Sequence, residues 1–229
     1  MGETLKQKQP FSVWYVRELE NYLSDMVKEG KRFIGRNRFE KCENKQVTYR
    51  IMHGPAELDQ ALLDELQAQN WFYAGDINKI GNPKTCFHAF ETEDVDAPDS
   101  MFLEALASTA KSLTKINLEF LIDILVFSAI VMVPTSIYWR SFFFLALPSM
   151  SVGSVFFFGY LLISSIVWSW NNYAAKKYLK EMVDKFGPAY PAKEWRKLKE
   201  ELRMKQRALS AVLAVVYVAI YFAGKTLWS

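Results

Sequence analysis

The chain has 229 residues, 28 Lys/Arg against 25 Asp/Glu for a net charge of +3, and 51% hydrophobic residues. Charge is uneven: residues 1–115 hold 15 Lys/Arg and 18 Asp/Glu, net −3, and the remainder holds 13 and 7, net +6. The mean hydropathy of −0.03 averages a polar first half and an apolar second half; the basic surplus beside apolar sequence needs no nucleic acid to explain it, and Cys42 and Cys86, both in the half assigned to a reducing compartment, exclude a disulfide framework.

The N-terminal sequence Met-Gly-Glu-Thr-Leu-Lys has no apolar h-region, so no cleaved signal peptide is expected, and Lys6 replaces the Ser/Thr of a myristoylation signal. Ser12 reads as an N-cap, with Phe11 and Val16 as a hydrophobic staple. Leu19, Tyr22, Leu23, Met26 and Val27 then form one helical stripe, which Gly30 ends as a left-handed C′ residue. Residues 31–41 and 46–53 alternate as two strands joined by a turn at Glu43-Asn44. Phe33 and Phe39 share one face of the first; the other face carries Arg32, Arg36 and Arg38, with Arg50 from the second strand. This basic face is a candidate for docking an acidic partner or anionic lipid, set against an ordinary solvated sheet face.

The pattern repeats at an offset of 40. Gly54-Pro55 reads as a helix start with Glu57 and Asp59 in the first turn, Leu58, Ala61, Leu62 and Leu66 as the stripe, and Asn70 in the C′ role of Gly30. Residues 71–80 and 85–91 form a hairpin around Gly81-Asn82-Pro83. Two helix–strand–strand units predict an α+β domain over 1–96: a four-stranded antiparallel sheet with both helices on one face. Pro98 marks a linker, and a helix from Asp99 or Ser100 fills 97–115.

Three apolar runs follow, 116–138, 142–167 and 208–223, ended by Tyr138 and Trp139, by Trp168, Trp170 and Tyr173, and by Trp228. A crossing needs about 20 helical residues, so the runs predict an α-helical membrane bundle of three spans, two within 116–170 and one within 208–229. Between the second and third, 171–207 is lysine- and arginine-rich, with a helix near 173–186, a Gly187-Pro188 break and a second helix from about Ala192 striped by Trp195, Leu198 and Leu202. The positive-inside pattern places that segment and the N-terminal half in the cytoplasm and the C-terminus outside. The expected location is thus the cell membrane, with anionic headgroups as lipid partners.

Asp123 lies about two turns inside the first run, where Arg207 or Lys205 at the start of the third could pair with it; an aspartate snorkelling to the headgroups is the competing reading. Ser149 and Gly153 form a small-xxx-small pair for close helix packing, within the bundle or at the seam of a homo-oligomer. Cys42, His53, Cys86 and His88 are the metal-ligand candidates; Cys86 and His88 share a strand face, but the spacing holds no ligand set, so no metal and no cofactor are expected. No phosphate loop, GxSxG elbow or HExxH helix is present, so no catalytic residue is assigned and no enzyme is expected.

The run Leu19-Glu20-Asn21-Tyr22-Leu23-Ser24-Asp25-Met26-Val27-Lys28-Glu29-Gly30, the pair Tyr49-Arg50 and the pair Asn70-Trp71 resemble the motifs of an uncharacterised bacterial family of DUF type, often encoded beside PadR-type repressors. The likeness covers roughly residues 11–91; Lys31-Arg32 stands where the family has its first tryptophan, and Asn70 where it has glycine. The resemblance implies an association with regulation and brings no catalytic residues. The resulting expectation is an integral membrane protein of regulation or signalling, whose cytoplasmic domain binds a protein, plausibly a repressor. The alternative is an accessory or immunity protein, acting against membrane-active compounds or for a transporter.

Overall fold

The computed structural model describes residues 4–77, 85–113 and 152–227. The chain divides into two compact units, Met1–Leu113 with Ala175–Glu201, and Thr114–Ala174 with Leu202–Ser229. In the first unit the elements are β1 (Thr4–Lys6), α1 (Val16–Lys28), β2 (Lys31–Phe33), β3 (Arg38–Lys41), β4 (Thr48–Pro55), α2 (Gln60–Ala68), β5 (Phe72–Asp76), β6 (Thr85–Thr92) and α3 (Ser100–Ser112). Two longer helices, α4 (Val152–Phe186) and α5 (Trp195–Leu227), each contribute residues to both units.

The expected four-stranded sheet is corrected to two three-stranded antiparallel sheets, β1-β3-β2 and β4-β6-β5. The segment 31–41 is not one strand but a hairpin folded at Gly35-Arg36-Asn37, whose φ angles of 90°, 51° and 60° reverse the chain. Phe33 and Phe39 then face each other across β2 and β3, with ring centroids 5.5 Å apart. β4 pairs with β6 rather than with β3, because β1 occupies the other edge of β3. Alternation identifies a strand but not its partner.

β6 is the middle strand of its sheet and is buried along nearly its whole length. On one face Met52 and Phe90 pack with Leu66, Trp71 and Phe102 from α2, the following turn and α3. On the other, Phe87 meets Trp14, and Glu91 meets Arg32 and Tyr49. The α1 stripe is buried as its periodicity predicts, with Leu19, Leu23 and Val27 at most 1% exposed.

Helix ends follow the sequence in part. Gly30 and Asn70 take positive φ, 77° and 65°, just past α1 and α2. Ser12 is not the N-cap of α1; it accepts a turn hydrogen bond from the Tyr15 N–H, and Tyr15 takes the cap position. Gly54-Pro55 does not open α2, because both residues are still paired in β4 opposite Cys86 and Thr85. Asp59 caps α2 instead, accepting from the Ala61 N–H at 3.2 Å. Asp99 precedes α3 without capping it, since its carboxylate is held by Arg50 at 2.9 Å.

The exposed edge of β4 is closed by side chains of α1. Glu20 accepts the Ile51 N–H at 3.0 Å, and Ser24 Oγ accepts the Tyr49 N–H at 3.3 Å. An open strand edge invites pairing with another chain, and these contacts block it. Arg17 and Arg50 lie 3.0 and 3.5 Å from the second Glu20 oxygen. Burial nevertheless pushes the Glu20 carboxyl above its ordinary range, against the pull of Arg17, Arg50 and the Ile51 N–H. The folded state therefore holds this proton more tightly than the unfolded chain, so the group's contribution to stability rises as pH falls from neutrality toward the unfolded carboxylate pKa of about 4.3. Measured by urea denaturation, wild type should gain stability relative to Glu20→Gln between pH 7 and pH 5; a constant difference would show that the carboxyl is not raised.

The segment 171–207 breaks at Gly187 (φ 78°) as expected, and the start of its second helix packs against α1 within the first unit. Trp195 stacks edge-on against Tyr22 at 5.0 Å and donates its Nε1–H to Asp25 at 2.9 Å. Tyr178 and the Lys193 backbone N–H both donate to Glu18.

The three-span membrane bundle is corrected: among the described residues, no helix is long and apolar enough to cross a membrane. Run 116–138 and run 142–167 up to residue 151 lie outside the described residues. The described parts of the later runs are not helices of their own. One shares α4 with Lys176, Lys177, Lys180 and Glu181; the other shares α5 with Arg196, Lys197, Lys199 and Arg203. In α5 the uncharged stretch 208–224 is shorter than the roughly 20 residues a crossing takes. The expectations of an integral membrane protein, of a multi-pass location and of a membrane-tied signalling or immunity role are corrected with it.

Candidate metal centre

β5 and β6 run antiparallel with Asp76 opposite His88, and Cys86 lies two residues before His88 on the same face. A carboxylate oxygen of Asp76, the Cys86 sulfur and a ring nitrogen of His88 all lie within 4.8 Å of one another. Cys86 and His88 are each 1% exposed, and the Asp76 side chain is 18% exposed.

Local sequence explains the convergence. A bulge between Tyr73 and Gly75 shifts the β5 register and sets Asp76 opposite His88. Gly75 takes φ 131° and lies so close to Gly35 that an added Cβ would sit 2.8 Å from the Gly35 Cα. The Arg36 N–H donates to the Asp76 carbonyl at 2.6 Å, so the β2–β3 turn fixes the backbone of Asp76. Gly54, opposite Cys86, leaves the adjoining space clear: a Cβ there would only reach ordinary contact with Leu58 and His88.

The His88 tautomer follows from its partners. Nε2 lies 2.7 Å from the Pro55 carbonyl oxygen, which can only accept, so Nε2 carries a proton. Nδ1 lies 2.9 Å from Asp76 Oδ1; a protonated ring would donate to the carboxylate there, and a neutral one would turn a lone pair toward it. Nδ1 is buried and has no hydrogen bond of acceptable alignment. The Cys86 thiol lies beside this pair. The Tyr73 hydroxyl donates to the same Asp76 oxygen at 2.6 Å and orients the carboxylate. Burial works against ionisation of Asp76, but the Tyr73 hydroxyl, the His88 ring and the Cys86 thiol hold its carboxyl below the ordinary range. Burial and then Asp76 push the Tyr73 hydroxyl well up, while the Arg36 charge pulls it back.

Sulfur, nitrogen and oxygen donors together suit zinc and its transition-metal neighbours, whereas calcium and magnesium take oxygen alone. Bonds of about 2.0–2.3 Å put tetrahedral ligand atoms roughly 3.5 Å apart, so the three groups need only a modest contraction. Pro55 and Tyr73 supply the outer contacts that orient metal ligands, a ring N–H to a backbone carbonyl and a hydroxyl to a carboxylate.

Of the four residues weighed from sequence, only Cys86 and His88 come together. His53 lies on the opposite face of the sheet between Trp14 and Phe87, where burial, then His88 and Lys176, lower its pKa. Cys42 lines a separate cleft of about 500 Å³ with Arg32, Phe72 and Glu91. Asp76 is not legible as a ligand in the sequence, since only the β5–β6 register shows it facing His88.

The arginines of the expected docking face have different surroundings. Arg32 pairs with Glu91 through Nε at 2.8 Å, Arg50 with Asp99 and Glu20, and Arg36 sits in the β2–β3 turn. Arg38 is exposed on β3. Asp123 and Ser149 lie outside the described residues, Gly153 is the second residue of α4, and Lys205 and Arg207 are exposed on α5.

Comparison with protein-family models, with curated proteins and with solved structures gives no match.

Proposed function

We propose that the α+β unit is a transition-metal-binding module, with Zn2+ the fitting ion and Asp76, Cys86 and His88 its ligands. One observation carries the reading: the buried His88 Nδ1, its partner nitrogen tied to the Pro55 carbonyl, makes no hydrogen bond of acceptable alignment and lies within 4.8 Å of a carboxylate oxygen and a thiol sulfur. A buried polar atom left without a hydrogen bond costs roughly 1–3 kcal/mol, and a cation between the three groups removes that cost. The ion would join the end of β5 to β6 and, through the Arg36 N–H on the Asp76 carbonyl, secure the β2–β3 turn.

Calorimetric titration of the metal-stripped chain with Zn2+ tests this. Binding is expected at one ion per chain with release of about one proton, because the Cys86 thiol must ionise to coordinate. No saturable heat, or heat unaffected by Cys86→Ala, would refute the assignment.

A further inference from the structure

Resting on the metal reading, we infer that the bound ion keeps its fourth coordination position open for an oxyanion from solution, a carboxylate or a phosphate, received beside Arg36. A tetrahedral ion needs four donors, and among the described residues the cluster supplies three. The polar atoms next to them are already used outside the coordination shell: the Pro55 carbonyl by His88 Nε2 and the Tyr73 hydroxyl by Asp76. Gly54, the cross-strand neighbour of Cys86, has no side chain to offer. Residues 77–84, which join β5 to β6 in sequence, include no Cys, His, Asp or Glu. Three protein donors and one exchangeable position describe a reactive or sensing centre rather than a closed structural one.

Charge decides what enters. A divalent ion with one thiolate, one carboxylate and a neutral imidazole is balanced within its protein ligands, so it accepts an anion without strong repulsion. Arg36 is exposed on the turn that grips Asp76, and its charge acts on the Tyr73 hydroxyl that touches the same carboxylate. Among the described residues it makes no ion pair within 4 Å. A guanidinium matches the paired oxygens of a carboxylate or phosphate and holds them with charge-assisted hydrogen bonds.

The experiment uses the full chain loaded with Co2+, whose visible bands report coordination and whose near-ultraviolet thiolate band reports the Cys86 bond. Sodium acetate and inorganic phosphate are titrated separately. The expected result is a saturable shift of the visible bands with at least one anion, weakened about tenfold in Arg36→Asn; asparagine tolerates the left-handed backbone of that position. Acetate alone would point to carboxylates, phosphate alone to phosphoryl groups. Visible bands indifferent to both anions, or equal anion affinity in Arg36→Asn, would overturn the inference while leaving the metal assignment standing. Absence of the thiolate band would instead remove the metal reading itself.

Discussion

His88→Ala is expected to weaken Zn2+ binding by about 100- to 1,000-fold. Zinc bound by four ligands in a small domain is worth roughly 10–16 kcal/mol, so each ligand carries about 2.5–4 kcal/mol. Cys86→Ala should match it, because the soft thiolate is the donor that most distinguishes this set from an ordinary polar cluster. Tyr73→Phe should cost less, about 10- to 100-fold, since it removes only the hydroxyl that orients Asp76. Competition against a chelator of known affinity reads all three. The ranking matters more than any one value: ligand variants that bind as tightly as Tyr73→Phe would place the ion elsewhere.

Gly75→Ala should destabilise the α+β unit by about 3 kcal/mol, because strained backbone and steric overlap add. The residue sits at φ 131°, where side chains are rarely accommodated, and its Cβ would be 2.8 Å from the Gly35 Cα and 3.0 Å from the Gly35 nitrogen. Both contacts are with backbone, so no side chain can rotate away. Relief requires the β2–β3 turn to lift from β5, which breaks the hydrogen bond from Arg36 to the Asp76 carbonyl. Gly75→Ala should therefore lower both the urea midpoint and the Zn2+ affinity. Gly187→Ala separates position from residue type: that glycine also has positive φ (78°) but open space around it, so only the backbone penalty of about 1 kcal/mol remains, with metal affinity unchanged. Equal losses in the two variants would mean that the Gly35–Gly75 approach is not a constraint.

Much of the local structure was legible because it depends on nearby residues. The stripe Leu19, Tyr22, Leu23, Met26 and Val27 is buried as one face, Gly30 and Asn70 end their helices left-handed, and Gly187 breaks the basic segment. Pairing was less legible. β1 is not legible because three residues carry no readable alternation, yet it takes the edge of β3, and β4 pairs with β6. The candidate site divides the same way. Cys86 and His88 sit two apart on one strand, so their shared face could be read directly. Asp76 reaches them through a bulge, and a one-residue shift reverses which face a side chain occupies.

The apolar runs that fall within α4 and α5 are the instructive misreading. Run length and aromatic ends describe a stretch of sequence, whereas a helix is set by everything continuous with it. In α4 and α5 the continuation is charged, and part of it packs on α1 through Tyr178 and Trp195.

X-ray absorption at the zinc edge of the loaded chain tests the central claim most directly. The account predicts one sulfur scatterer at about 2.3 Å and nitrogen or oxygen scatterers at about 2.0–2.1 Å, four in all. A first shell without sulfur, or one of six oxygens, would contradict it.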